Sequence, residues 1–140
     1  MRYNILLRFA FFFMLAQILF QGNSFAQLSG SYTIPGGTFA TVEAAITALN
    51  VQGVGPGGVT FNVTAGHTET FTSDISGKIS ATGTVSNPII FQKSGVGLNP
   101  KITAGVGTGT RDGIIILRGG DYFTFDGIDV TENPANTDNT

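Results

Sequence analysis

The stretch from Thr38 to Val63 constrains the fold most, because it joins one short amphipathic helix to one well-patterned strand. The apolar stripe of this helix has spacings of three and four residues and consists of Phe39, Val42, Ile46 and Leu49. After Val63 the chain shows short strand patterns and turns, without a second helical pattern. A single helix ahead of a run of strands predicts a cap on the end of a β-architecture.

The ends of the helix are also predicted by the sequence. The Thr41 hydroxyl is placed to cap the first turn, and Glu43 lies where the helix dipole favours a carboxylate. Gly53 is expected to end the helix. Because the helix is too short to be stable alone, its apolar stripe must pack on the following strands. Glu43 and Thr47 are then expected in water.

Short strands are predicted along the rest of the chain. Gly55–Gly58 has the composition of a turn, and the next residues alternate apolar and polar side chains, which indicates a half-buried strand. Ile114–Leu117 is a continuous apolar run, which predicts a strand buried on both faces. The other predicted extended segments are 32–34, 70–72, 78–80, 89–92, 101–103 and 123–130.

The stronger strand centres fall near residues 61, 90 and 115, at intervals of 29 and 25 residues. Stacked repeats have periods of about 20–45 residues, so this spacing favours a solenoid whose first end the helix covers. The alternative is a β-sandwich, which short strands and brief turns also allow. A sandwich does not need the helix, and the solenoid is therefore the preferred prediction.

Residues 1–26 have the pattern of a signal peptide. Arg2 and Arg8 precede an apolar run, and small residues around Ala26 predict cleavage before Gln27. The run is shorter than the roughly 20 residues of a membrane-spanning helix, so no membrane association is expected after cleavage. The protein is therefore expected to be secreted or to lie on the outer cell surface.

The composition of the exported part limits its partners. Removing Arg2 and Arg8 from the seven basic residues leaves five basic residues against nine acidic ones. This acidic balance does not indicate nucleic-acid binding. The chain contains no cysteine, so an exported form cannot use disulfides for stability. Packing and backbone pairing must hold the fold together.

No group of residues predicts catalysis. His67 is the only histidine, and it is interpreted as a surface-loop residue. Asp121, Asp126 and Asp129, with Asp112, are the only dense acidic group and thus weak candidates for a metal site. Their positions fit turns and outward strand residues better, so neither a metal nor another cofactor is expected. Arg111 and Arg118 match no motif and are interpreted as surface residues.

Several segments resemble one family. TFATVEAAITAL followed by GPGGVTFNV resembles the opening of right-handed parallel β-helix domains of the pectin-lyase-like type, in which a short helix covers the first coil. SNPIIFQKSG and GGDYFTFDGIDVTEN resemble later coils of the same family, so the likeness spans roughly residues 31–132. Such openings occur in large bacterial surface proteins exported by the type IX secretion route. The architecture carries lyases, hydrolases and adhesins, so the likeness implies a fold more than a function.

The resemblance implies an organisation of the chain. We expect a signal peptide at 1–26, an extended leader at 27–37, the first part of a β-helix at 38–132 and a polar tail at 133–140. Only roughly three to four coils fit, which implies a truncated frame or the front of a longer protein. The open last coil, with Phe123, Phe125, Ile128 and Val130, is expected to be partly exposed and to self-associate.

The resemblance also implies two functions. The first is a non-catalytic module for adhesion or surface display, with an extracellular polysaccharide or a host or cell-surface ligand as its partner. The alternative is the N-terminal part of a secreted polysaccharide lyase or glycoside hydrolase whose active site lies beyond residue 140.

Overall fold

The structure is a computed structural model that describes residues 25–107 and 113–136. Within these ranges lie one helix, α1 (Val42–Gln52), and nine strands. The strands are β1 (Leu28–Ile34), β2 (Val54–Thr64), β3 (Thr68–Thr70), β4 (Lys78–Ile79), β5 (Ile89–Ser94), β6 (Lys101–Thr103), β7 (Ile116–Leu117), β8 (Phe123–Asp126) and β9 (Asp129–Thr131). Apart from Phe25 and Ala26, the predicted signal peptide lies outside the described residues, as does the end of the predicted tail.

The strands form three sheets, and every pairing between them is parallel. The four-stranded sheet has the order β1-β2-β5-β8, the three-stranded sheet β3-β6-β9 and the two-stranded sheet β4-β7. In each sheet the strands follow one another in chain order. The prediction of a β-rich chain with parallel sheets and one helix is confirmed. The segment predicted as a leader contributes β1, which is a full member of the largest sheet.

A row of aromatic rings crosses the four-stranded sheet on its inner side. Phe61 and Phe91 are fully buried and stack with ring centroids 4.5 Å apart, and Phe125 stacks on Phe91 at 5.2 Å. Tyr32 continues the row on the other side of Phe61 at 5.9 Å. Offset stacking of this kind adds to the free energy gained by burying the rings. The row therefore fixes the register in which the four strands pair.

Helix α1 packs as the sequence predicts. The four residues of its apolar stripe are at most 6% exposed, while Thr47 lies in water. The Thr41 hydroxyl accepts a hydrogen bond from the amide of Ala44, and Gly53 ends the helix at a φ of 72°. The predicted cap, buried stripe and helix end are all confirmed.

The turn predicted at Gly55–Gly58 is wrong, because these residues belong to β2. Against β1, Leu28 pairs with Val54 but Gly30 pairs with Val59, so the glycines form a bulge within the strand. Gly58 has a φ of 79°, and a Cβ there would lie 2.5 Å from the carbonyl oxygen of Pro88. Only glycine fits this close approach, so the composition of a turn here serves a bulge.

The prediction for Ile114–Leu117 is also wrong. Only Ile116 and Leu117 form a strand, and Leu117 is 47% exposed rather than buried on both faces. This strand, β7, pairs with β4 and not with the largest sheet. The third strand that stacks with β2 and β5 is β8, so the successive in-register intervals are 30 and 34 residues. A continuous apolar run was therefore a poorer guide to the stacking than the alternation in FTFD.

Candidate functional site

The densest cluster of polar contacts surrounds the N-terminus of α1. The carboxylate of Glu69, on β3, accepts hydrogen bonds from the amides of Val42 at 2.7 Å and Glu43 at 3.0 Å. Thr41 accepts from the next amide, that of Ala44, and its carbonyl oxygen accepts from the fourth, that of Ala45. The amides of Val42, Glu43 and Ala44, which have no partner within the helix, are therefore satisfied by other groups of the chain, and the Ala45 amide makes the first bond of the helix itself.

His67 lies beside the same carboxylate. Its Nε2 atom is 2.9 Å from the Oε2 atom of Glu69, and the two side chains are only 12% and 7% exposed. His67 lies in a loop, as expected, but the interpretation of it as a surface residue is wrong, because its side chain is largely buried. The imidazole contributes one more hydrogen-bond donor to a carboxylate that already accepts from two amides.

Glu43 forms a second carboxylate centre on the other side of the helix start. It accepts hydrogen bonds from the Ser76 hydroxyl at 2.7 Å, from the Thr72 amide at 3.0 Å and from the Thr72 hydroxyl. Partial burial alone would raise the pKa of Glu43, but these three donors favour the ionised form and together lower that pKa. The expectation that Glu43 lies freely in water is wrong, because its carboxylate joins α1 to the loop after β3.

Asn50 performs a similar function near the end of α1. Its amide group donates to the carbonyl oxygen of Lys78 at 2.8 Å, and its Oδ1 atom accepts from the amide of Ser80 at 2.8 Å. These two backbone groups flank Ile79 of β4, and a neighbouring parallel strand would bond such alternate groups. One side chain of the helix thus replaces a strand at this edge.

The side chains of this cluster hold the helix in place. The Glu69 and Glu43 carboxylates each accept three hydrogen bonds from the protein, and Glu69 already fills the anion-binding position at the helix start. A general acid or base needs an oxygen directed at a substrate, and these oxygens are directed at backbone amides and hydroxyls. The cluster therefore fixes the helix to β3 and β4.

The weak metal candidates are separated in the structure. Asp126 ends β8 in the largest sheet, Asp129 begins β9 in the three-stranded sheet, and Asp121 precedes β8; all three are exposed. The Asp129 carboxylate accepts a hydrogen bond from the side-chain amide of Asn99 at 2.9 Å. Among the residues that the structure describes, no three histidine or acidic side chains lie together as a metal site would require.

The remaining candidates give no site either. Arg118 is exposed, and its amide bonds the carbonyl oxygen of Ile79 as part of the β4–β7 pairing. Arg111 and Asp112 lie outside the described residues.

A groove on the surface offers room for a ligand. It has a volume of about 510 Å³ and lies where the turns that follow β2 and β5 meet the first residues of β3, β6 and β9. Its lining combines a hydroxyl, an amide, an ammonium and a carboxylate with one apolar side chain, and consists of Gly66, Thr68, Gly97, Leu98, Asn99, Lys101 and Asp129. Leu98 is 82% exposed at its rim. Such a mixed surface suits a ligand rich in hydroxyl groups.

Sequence reasoning missed Glu69 and Asn50, the two residues that anchor the helix to the sheets. Glu69 lies between two threonines in a three-residue strand, and Asn50 follows the apolar stripe of the helix. Their partners are 26 to 31 positions away in the chain. Neither side chain belongs to a motif, so only the folded arrangement reveals its contacts.

Comparison with protein-family models, with curated proteins and with solved structures gave no significant match. Over the part of the chain that the structure describes, no helix has the length and apolar character needed to cross a bilayer. The function must therefore be argued from the geometry alone.

Proposed function

We propose that this chain is a non-catalytic module of a secreted or cell-surface protein, built as the first coils of a right-handed parallel β-helix. The observation that carries the proposal is the common order of the three sheets. Each is parallel, and in each the strands follow chain order, with return intervals from 28 to 38 residues apart from the pair Leu28–Val54 beside the bulge. Successive coils of a solenoid produce this pattern, whereas sandwiches are built from antiparallel sheets.

The helix supports this proposal through its position in the order of elements. It follows β1 and precedes β2, and it contacts both of these strands and β4. Glu43 and Asn50 on the helix, and Glu69 on β3, make the hydrogen bonds that join the helix to the first strands of the two smaller sheets. An end cap must cover those strand edges that have no preceding coil to pair with. The helix is placed to do this for β3 and β4.

The state of the acidic residues supports a non-catalytic role. The carboxylates of Glu43 and Glu69 are used to hold the helix. The groove, in contrast, presents Thr68, Lys101 and Asp129 to solvent beside Leu98. Hydroxyl, ammonium and carboxylate groups can bond sugar hydroxyls, and an exposed leucine can contact the apolar face of a sugar ring. We therefore assign the groove to adhesion, with an extracellular polysaccharide as its ligand.

Binding to a panel of bacterial and host polysaccharides tests this assignment. We expect one class of polysaccharide to bind without being shortened, and Lys101→Ala or Leu98→Asp to weaken that binding at least tenfold. Val85→Asp is the matched control for the leucine variant, because Val85 is similarly exposed at 79% and does not line the groove. Cleavage of the bound polymer, or equal binding by all variants, would contradict the proposal.

A further inference from the structure

In the described part of the chain, the largest sheet has a strand without a neighbour at each of its two edges, and both strands belong to the same parallel ladder. Among the described residues, β1 is the first strand of this sheet and β8 is the last. A strand edge presents unpaired amides and carbonyl oxygens, and proteins commonly protect such edges with charged residues or proline. β1 carries no charged residue and no proline, and β8 carries one charged residue, Asp126, at its last position. Neither edge is strongly protected against pairing.

The side chains on the two edges continue one another. Tyr32 on β1 and Phe125 on β8 are the two ends of the aromatic row through Phe61 and Phe91. Phe125 is still 37% exposed, and Val130 on the neighbouring edge strand β9 is 50% exposed. A strand placed on β8 would complete the burial of Phe125 if it brought an aromatic residue in register. β1 carries such a residue.

The outer face of α1 lies at the same end of the molecule as the β1 edge. The helix lies ahead of the first strands of the two smaller sheets, as β1 lies ahead of β2. Apart from Asn50, whose side chain bonds β4, its exposed residues are uncharged, and they are Ala44, Thr47 and Val51. This surface can pack against the exposed Val130 on β9 without adding a charge of its own to the contact.

From these observations we infer that copies of this chain associate head to tail, with β1 of one copy added in parallel to β8 of the next. In this arrangement Tyr32 stacks on Phe125 of the preceding copy, and the outer face of α1 covers β9 of that copy. The contact is heterologous, so it leaves a free edge at each end and forms chains of copies rather than closed dimers. The inference does not depend on what the groove binds, and it applies to the form of the protein in which no further coil covers β8.

Cysteine cross-linking tests this inference without background, because the chain contains no cysteine. Thr33 and Asp126 are exposed and occupy one register row through Asn62 and Gln92, so continuing the ladder brings Thr33 of one copy beside Asp126 of the next. Neighbouring strands lie about 4.8 Å apart, within reach of a disulfide or a short thiol-specific cross-linker. The experiment uses the full-length protein as the expressing cell secretes it.

We expect a mixture of the single variants Thr33→Cys and Asp126→Cys to give a cross-linked dimer, while neither variant cross-links alone. The variant with both cysteines should give a ladder of higher oligomers. Cross-linking by Asp126→Cys alone would show a symmetric tail-to-tail contact and overturn the inference. A monomer without cross-links at high protein concentration would overturn it too, whether that monomer leaves the β8 edge bare or covers it with residues beyond Thr140.

A second pair of variants tests the contribution of the helix. Val51→Lys places a charge on the outer face of α1, and we expect it to raise the concentration needed for association at least tenfold. Val96→Lys is the matched control, since Val96 is fully exposed in the turn after β5, away from both edges. Equal weakening by both variants would contradict the proposed contact. Circular dichroism and a thermal melt confirm that each variant is folded.

Discussion

The carboxylate of Glu69 accepts a hydrogen bond from the amide of Val42 at 2.7 Å, although the two residues are 27 positions apart. This contact joins the third strand to the start of the only helix in the described part of the chain. It places a second carboxylate, besides that of Glu43 in the first turn of the helix, at the positive end of the helix dipole.

Replacing Glu69 by Ala should destabilise the fold, because the amides of Val42 and Glu43 lose their acceptor at a largely buried site. We expect a loss of roughly 1–3 kcal/mol in the free energy of unfolding, measured by urea denaturation. Asp126→Ala is the control, since that carboxylate is exposed and should change stability by less than about 0.5 kcal/mol. Equal effects of the two substitutions would show that Glu69 does not hold the helix.

Glu43 should make the stability depend on pH in acid. Its pKa is lower in the folded protein than the ordinary value of 4.5, so the unfolded chain binds the proton more readily. The stabilisation is therefore fully present above pH 4.5 and is lost as the pH falls through the lower pKa of the folded state. The difference in unfolding free energy between the natural chain and Glu43→Gln should shrink over that range. A difference that stays constant from pH 6 to pH 3 would contradict the Glu43 contacts.

Replacing Ile46 by Ala should cost about 2–5 kcal/mol, because the side chain is 1% exposed and its removal leaves a cavity between the helix and the sheets. Thr47→Ala is the neighbouring control on the exposed side of the helix. Thermal or chemical unfolding of both variants gives the comparison. A cost below about 0.5 kcal/mol for Ile46→Ala would mean that the helix does not pack on the strands.

Calcium should change the melting temperature very little. Asp121, Asp126 and Asp129 lie on separate elements, and the last already accepts a hydrogen bond from Asn99. A cation present at 100 times its dissociation constant would add about 2.7 kcal/mol. A thermal shift of that size that disappears in Asp126→Ala would establish a calcium site and overturn this reading of the acidic residues.

The sequence predicted those parts of the fold that local patterns determine. The stripe through Val42, Ile46 and Leu49 predicted the helix and its buried face, and the alternation around Phe61 predicted a half-buried strand. The partial exposure of Phe125 and Val130 was also expected, and it is confirmed. These features depend on residues that are close together in the chain.

The polar contacts were not predictable in the same way. Glu43 was expected in water because its partners Thr72 and Ser76 are about 30 positions away and have no pattern of their own. The pairing of β7 with β4 was missed because an apolar run does not reveal which strand lies beside it. Such contacts depend on how many residues separate the paired positions of neighbouring strands. Outside the bulge of β2, that number varies from 28 to 38.

The parallel return of the chain is the claim on which the proposed β-helix depends, and an engineered disulfide tests it directly. Thr64 and Ser94 lie opposite each other in the β2–β5 ladder, so the variant with cysteine at both positions should form an intramolecular disulfide in the monomer. Thr60 and Gln92 are two register positions apart in this ladder, but an antiparallel pairing centred on Phe61 and Phe91 would place them opposite each other. We predict a rapid disulfide in the first pair and none in the second. A disulfide between positions 60 and 92, with none between 64 and 94, would contradict the parallel stacking and favour the sandwich.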